Sequence, residues 1–116
     1  PVTDSAVSSF ILHLGPLKAP GFHGTRNIAL QKCPSLIPIL RRLTQSCLSL
    51  HHFPSVAKEF ITCVLRKPGK DDYSKPGAWR PVALEDSESK VVEGIVAAQL
   101  VELAERCDLL PDHQFG

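Results

Sequence analysis

Residues 66–78 carry Pro-Gly twice, at Pro68-Gly69 and Pro76-Gly77. Proline fixes φ and lacks an N–H, and glycine enters backbone regions closed to other residues, so no regular element runs through this stretch. The flanks are opposite in character. Glu59-Phe60-Ile61-Thr62-Cys63-Val64-Leu65 is aromatic and β-branched and reads as a strand. Trp79-Arg80-Pro81-Val82-Ala83-Leu84 reads as a second, in which Pro81 demands an edge or an irregular position. The pattern predicts a hairpin over residues 59–84 with a long tip.

Helical periodicity appears on both sides of that hairpin. From Pro34 to Leu50 the positions Leu36, Ile37, Leu40, Leu43, Cys47 and Leu48 follow a 3.6-residue period, with Ile39 and Leu50 off the stripe. Pro34 suits the first turn of such a helix, and Pro54 marks its far limit. Ser87 to Cys107 carries a nearly continuous stripe of Val91, Val92, Ile95, Val96, Gln99, Leu100, Leu103 and Cys107, with Ser87 as candidate N-cap. Helices plus a hairpin define an α+β chain. Three segments follow: residues 1–17 as a linker or the tail of a preceding element, 18–84 with the hairpin, and 85–116 as a helical segment. At 116 residues, 43% of them hydrophobic, the chain is long enough for one core. No apolar run approaches a membrane span or a secretory signal. The chain has no Met, even at position 1, which reads as an internal or processed segment.

The formal net charge of +1 conceals a division. Residues 1–84 hold 11 bases and 4 acids, whereas residues 85–116 hold 2 bases and 8 acids. The excess of base is locally concentrated: Arg66, Lys67, Lys70, Lys75 and Arg80 surround the hairpin tip against Asp71 and Asp72, with Tyr73 and Trp79 among them. Lysine supplies a point charge, arginine a planar fork that holds phosphate bidentately, and the Pro-Gly turns let amides approach a ligand. The residues thus point to an anion-binding loop; the alternative is a loop kept polar by solvent.

Two metal readings are weaker. Cys47, His51 and His52 have helical spacing, yet a structural zinc site needs four ligands and no second pair stands nearby. Asp71-Asp72 lies in a turn beside lysines with no third carboxylate close in sequence. Cys33, Cys47, Cys63 and Cys107 form no C-x-x-C pair and read as reduced thiols in or near the core.

In this order the segments resemble the N-terminal part of reverse transcriptase domains from non-LTR (LINE-like) retrotransposons. Lys18-Ala19-Pro20-Gly21-Phe22-His23-Gly24 is similar to that family's K-x-P-G-x-D-G motif, and Phe53-Pro54 with Ala57-Lys58-Glu59 to its F-P-x-x-W-K segment. Leu65-Arg66-Lys67-Pro68-Gly69-Lys70 and Trp79-Arg80-Pro81-Val82-Ala83-Leu84 are similar to its P-K-P-G-K and Y-R-P-I-S-L motifs. Lys90, Glu93, Val96 and Leu100 fall where its K-x-x-E-x-x-I-x-x-x-L helix would, and Asp112-His113-Gln114-Phe115-Gly116 is similar to the start of its Q-x-G-F-R stretch. His23, Ala57 and Ala83 depart from the pattern.

The resemblance implies a partial right-hand polymerase fold, with residues 18–84 as fingers and 85–116 as the start of the palm. It implies that Lys67 and Arg80 bind the phosphates of a deoxynucleoside triphosphate. Lys18, Gly21, Gly24, Arg66, Lys70 and Lys75 would contact RNA template or DNA primer. It places the Mg²⁺-binding catalytic aspartates further along the parent chain, so these residues would include no catalytic or metal-binding position and would not polymerise alone. The remaining partner is the rest of the polymerase chain, with no membrane, at an intracellular, nuclear location. A rival reading is a non-catalytic remnant whose basic half meets nucleic acid and whose acidic helix docks on protein.

Overall fold

The computed structural model describes residues 1–109 and 111. The 112–116 landmark lies outside the described residues. Helices α1 (Asp4–His13), α2 (Asn27–Gln31) and α3 (Ile37–Ser49) precede the antiparallel strands β1 (Phe60–Arg66) and β2 (Trp79–Glu85), and α4 (Ser87–Arg106) follows them. Short 3₁₀ turns cover residues 34–36, 55–58 and 76–78. The architecture is α+β, as the sequence predicts.

Helix α1 stands where a linker or the tail of a preceding element is expected. Thr3 caps it by accepting the Ala6 N–H at 3.1 Å, and Asp4 puts a negative charge in the first turn, where the helix dipole favours it. Val7 and Ile11, one turn apart, are buried to 0% and 2% exposure. The core they enter also takes Val2, Leu30, Leu40, Val91 and Ile95. All three sequence segments therefore contribute to one core. Trimming Val7 to alanine opens a cavity in it, with an expected loss of about 1–3 kcal/mol in chemical denaturation. An unchanged midpoint would return α1 to the status of a tail.

The two prolines near the start of α3 are absorbed differently. Pro34 opens a 3₁₀ turn, and Pro38 sits in the first turn of the α-helix, where its missing N–H has no intrahelical partner to lose. The inward face of α3 is narrower than its apolar stripe: Leu40 and Thr44 are buried, while Leu43 is 37% exposed. Thr44 is tolerated because its hydroxyl donates to the Leu40 carbonyl at 2.8 Å.

In α4 only the proximal stripe, Val91, Val92 and Ile95, is buried; Leu100, Val101 and Leu103 are exposed. Phe10 of α1 lies so close over Gly94 that a Cβ there would overlap its ring. The expected cap is corrected by one residue. Asp86 is the N-cap position and makes no side-chain cap bond, whereas Ser87 is the first helical residue and is fully buried. The Ser87 hydroxyl lies 2.8 Å from Asn27 Oδ1 and 2.9 Å from the Thr25 carbonyl, fastening α4 to the start of α2.

The strands pair from Phe60 with Glu85 to Arg66 with Trp79, and Pro81 faces Val64. In a two-stranded sheet each strand is an edge, which suits Pro81. Phe60, Ile61, Val64 and Leu65 are all exposed, so both faces of the hairpin meet solvent along β1.

Candidate anion-binding site

The hairpin tip is ordered by its own side chains. Past the last strand pair the ladder gains one more bond, from the Lys67 N–H to the Ala78 carbonyl at 2.8 Å. The Tyr73 hydroxyl donates to the Lys67 carbonyl at 2.8 Å, and the Trp79 indole N–H donates to the Tyr73 carbonyl at 2.9 Å. The two rings meet edge to face, 5.9 Å between centroids. The Arg66 guanidinium lies 5.1 Å from the Tyr73 centroid and 5.3 Å from that of Trp79.

Strand alternation sorts the bases. Arg66 pairs with Trp79 and shares its face, whereas Leu65 pairs with Arg80 on the other. The added Lys67–Ala78 bond continues that alternation, so Lys67 falls on the Arg80 face as its diagonal neighbour. The Lys67 ammonium donates to the Gly77 carbonyl at 2.9 Å, and Arg80 is exposed. The register thus puts Lys67 and Arg80 on one face of the hairpin and Arg66 on the other. Lys70 and Lys75 are exposed on the tip, with Lys75 3.6 Å from Asp72.

Asp72 is occupied locally. It accepts the Ser74 N–H at 2.9 Å and the Ser74 hydroxyl at 2.6 Å, and these bonds, with Lys75, hold its carboxyl below the usual range. Asp71-Asp72 is therefore a turn rather than a cation cradle. Among the described residues no group of three or more His, Cys, Asp or Glu side chains is arranged to hold a metal. The thiols are less deeply placed than expected: Cys33, Cys47 and Cys63 are half-buried and Cys107 is exposed.

The turn at 18–24 lies at the opposite end of the hairpin. Gly21 is buried against the backbone of Glu85 and Asp86, while the tip begins at Trp79, six residues and about 20 Å back along β2. Lys18 is exposed, and Gly24 adopts φ +76° with open space around its Cα. Gly21 is thus spoken for by packing, and of the six bases singled out in the sequence Lys18 lies at one end of the hairpin and Arg66, Lys67, Lys70, Lys75 and Arg80 at the other.

A pair that sequence reading passes over joins this turn to α4. Buried Asp86 accepts the His23 backbone N–H at 3.0 Å and the His23 Nδ1–H at 2.5 Å. The hydrogen bond to Asp86, then its charge, raises the His23 pKa above 6.5. Burial pushes the Asp86 carboxyl up, but its bonds to His23 and the charges of His23 and Lys90 outweigh this and hold it below 3.8. His23 therefore contributes stability that is complete below pH 6.5 and is lost as pH rises through its raised value. Asp86 contributes above pH 3.8 and loses that contribution as pH falls through its depressed value. Thermal midpoints should form a plateau between these limits, and His23→Gln should flatten the neutral limb. The same neutral fall in His23→Gln would assign it to another group.

Across its whole length the chain is similar to two curated proteins of Drosophila melanogaster. They are named the probable RNA-directed DNA polymerase from transposon X-element and that from transposon BS. Identity is 32% over 117 residues in each case, covering 100% of this chain and 13% of the relative. The chain thus spans about an eighth of the length of the curated relatives it matches. No family model matches it. This α+β chain is thus similar, over its length, to one part of two transposon RNA-directed DNA polymerases. No described helix is long and apolar enough to cross a membrane.

Proposed function

We propose that this chain is the fingers and the start of the palm of a non-LTR, LINE-like retrotransposon reverse transcriptase. The observation that carries the reading is the similarity, over the full chain, to two transposon RNA-directed DNA polymerases. In this reading Lys67 and Arg80 bind the triphosphate of an incoming deoxynucleotide. Their shared face on the hairpin supports treating them as a pair. Phosphoryl transfer depends on positioning and charge stabilisation, and a basic hairpin contributes both. Lys70 and Lys75 at the tip, and Lys18 at the base, meet the backbone of RNA template or DNA primer.

The parent reaction uses Mg²⁺ held by aspartates further along. The described residues do not fit that metal, since Asp72 is engaged by Ser74 and no third carboxylate joins it. Residues 1–116 alone are therefore expected to bind and not to extend a primer. The parent enzyme would act in the nucleus, where its DNA target lies.

Binding of an RNA–DNA hybrid to this chain tests the reading. Each phosphate neutralised contributes a slope of about −0.7 to −0.9 to log K against log salt. A steep fall in affinity between low and physiological salt is expected. Affinity that ignores salt would remove the basic hairpin from the contact surface and favour the protein-docking remnant.

A further inference from the structure

Residues 67–78 join the strands with a single 3₁₀ turn at 76–78, and mobile bases bind poorly because ordering them opposes binding. This tip is not left to itself. Arg66, Tyr73 and Trp79 form a closed cluster on one face of the hairpin. Two of its hydrogen bonds end on backbone carbonyls of the loop, at Lys67 and at Tyr73. The cluster therefore ties the two strand ends, Arg66 and Trp79, to the first residue of the loop and to its middle. The guanidinium of Arg66 is stacked on rings, on the side away from Lys67 and Arg80. Among the described residues no carboxylate pairs with it, so the rings are its partners.

We propose that Arg66, Tyr73 and Trp79 are positioning residues: an aromatic clasp on one face of the hairpin that holds Lys67 and Arg80 in place on the other. This rests on the reading of Lys67 and Arg80 as phosphate ligands. It reassigns Arg66, which sequence alone places among the nucleic-acid contacts. The Tyr73 bond to the Lys67 carbonyl is the direct link, because it fixes the backbone of a ligand residue from the opposite side.

Two charge-conserving variants separate positioning from charge. Tyr73→Phe keeps the ring and removes the bond to Lys67. Arg66→Lys keeps the charge and removes the planar stack. Each is titrated with inorganic triphosphate, and amide exchange at Lys67 is measured beside it. Both variants should bind about three- to tenfold more weakly, the range expected for loss of one such interaction, and Lys67 should exchange faster. The thermal midpoint of the helical core should stay where it is, since the clasp touches only the hairpin. Unchanged affinity with faster exchange overturns the positioning role. Unchanged exchange overturns the clasp. Absence of triphosphate binding in the unaltered chain overturns the assignment of Lys67 and Arg80 themselves, whatever the exchange shows.

Discussion

Replacing Gly21 with alanine is expected to destabilise this fold by roughly 3 kcal/mol, the upper part of the range for overpacked sites. The added Cβ would overlap the Asp86 amide nitrogen and the Glu85 carbonyl carbon, and would stand 2.7 Å from Asp86 Oδ1. The first two obstacles are backbone, so no rotamer change relieves them. The 20–24 turn must lift from the β2–α4 junction, and it takes with it both hydrogen bonds from His23 to Asp86. That leaves the Asp86 carboxylate buried without its partner, which adds to the steric cost. Gly24→Ala is the control. It lies three residues on, at φ +76°, with nothing near its Cα. Only left-handed strain acts there, worth about 1 kcal/mol. Chemical denaturation followed through the helical signal compares the two. Equal losses would mean that the junction is looser than the geometry requires.

What was legible in the sequence follows the range of the forces. The hairpin and α4 were readable to within one residue at most ends because their signals are local: β-branched runs closed by Pro-Gly, and an apolar stripe of helical period. Helix α1 was hidden by a Ser- and Thr-rich surface that resembles a linker. Its signal was present in Thr3-Asp4 as cap and first-turn acid, with Val7 and Ile11 one turn apart. The His23–Asp86 pair had no such signal, for its members are 63 residues apart. Ser87 looked like a cap because caps favour serine, yet a buried partner at Asn27 took its hydroxyl instead. In the candidate site, the sequence located the basic tip and not its sidedness. Arg66 and Lys67 are adjacent in the chain and fall on opposite faces, a distinction that exists only once the register is known.

That sidedness sets the expected outcome of removing the charges. Lys67→Gln and Arg80→Gln should each weaken inorganic triphosphate binding by about tenfold or more, the scale of hydrogen bonds to a charged ligand. Arg80 is exposed and Lys67 half-buried, and neither enters the helical core, so the thermal midpoint should move little. Because the two are diagonal neighbours on one face, a single ligand meets both, and their losses should not simply add. Arg42→Gln supplies the comparison. Arg42 is an exposed base on α3, so its loss changes net charge equally without touching the hairpin. If Arg42→Gln weakens binding as much as Lys67→Gln, the effect is one of overall charge and the hairpin is not a site. If only the hairpin variants act, and the double variant falls short of the product of the singles, then Lys67 and Arg80 hold the same phosphate group. That coupling separates a built site from a merely basic loop, because net charge alone produces independent losses at every position.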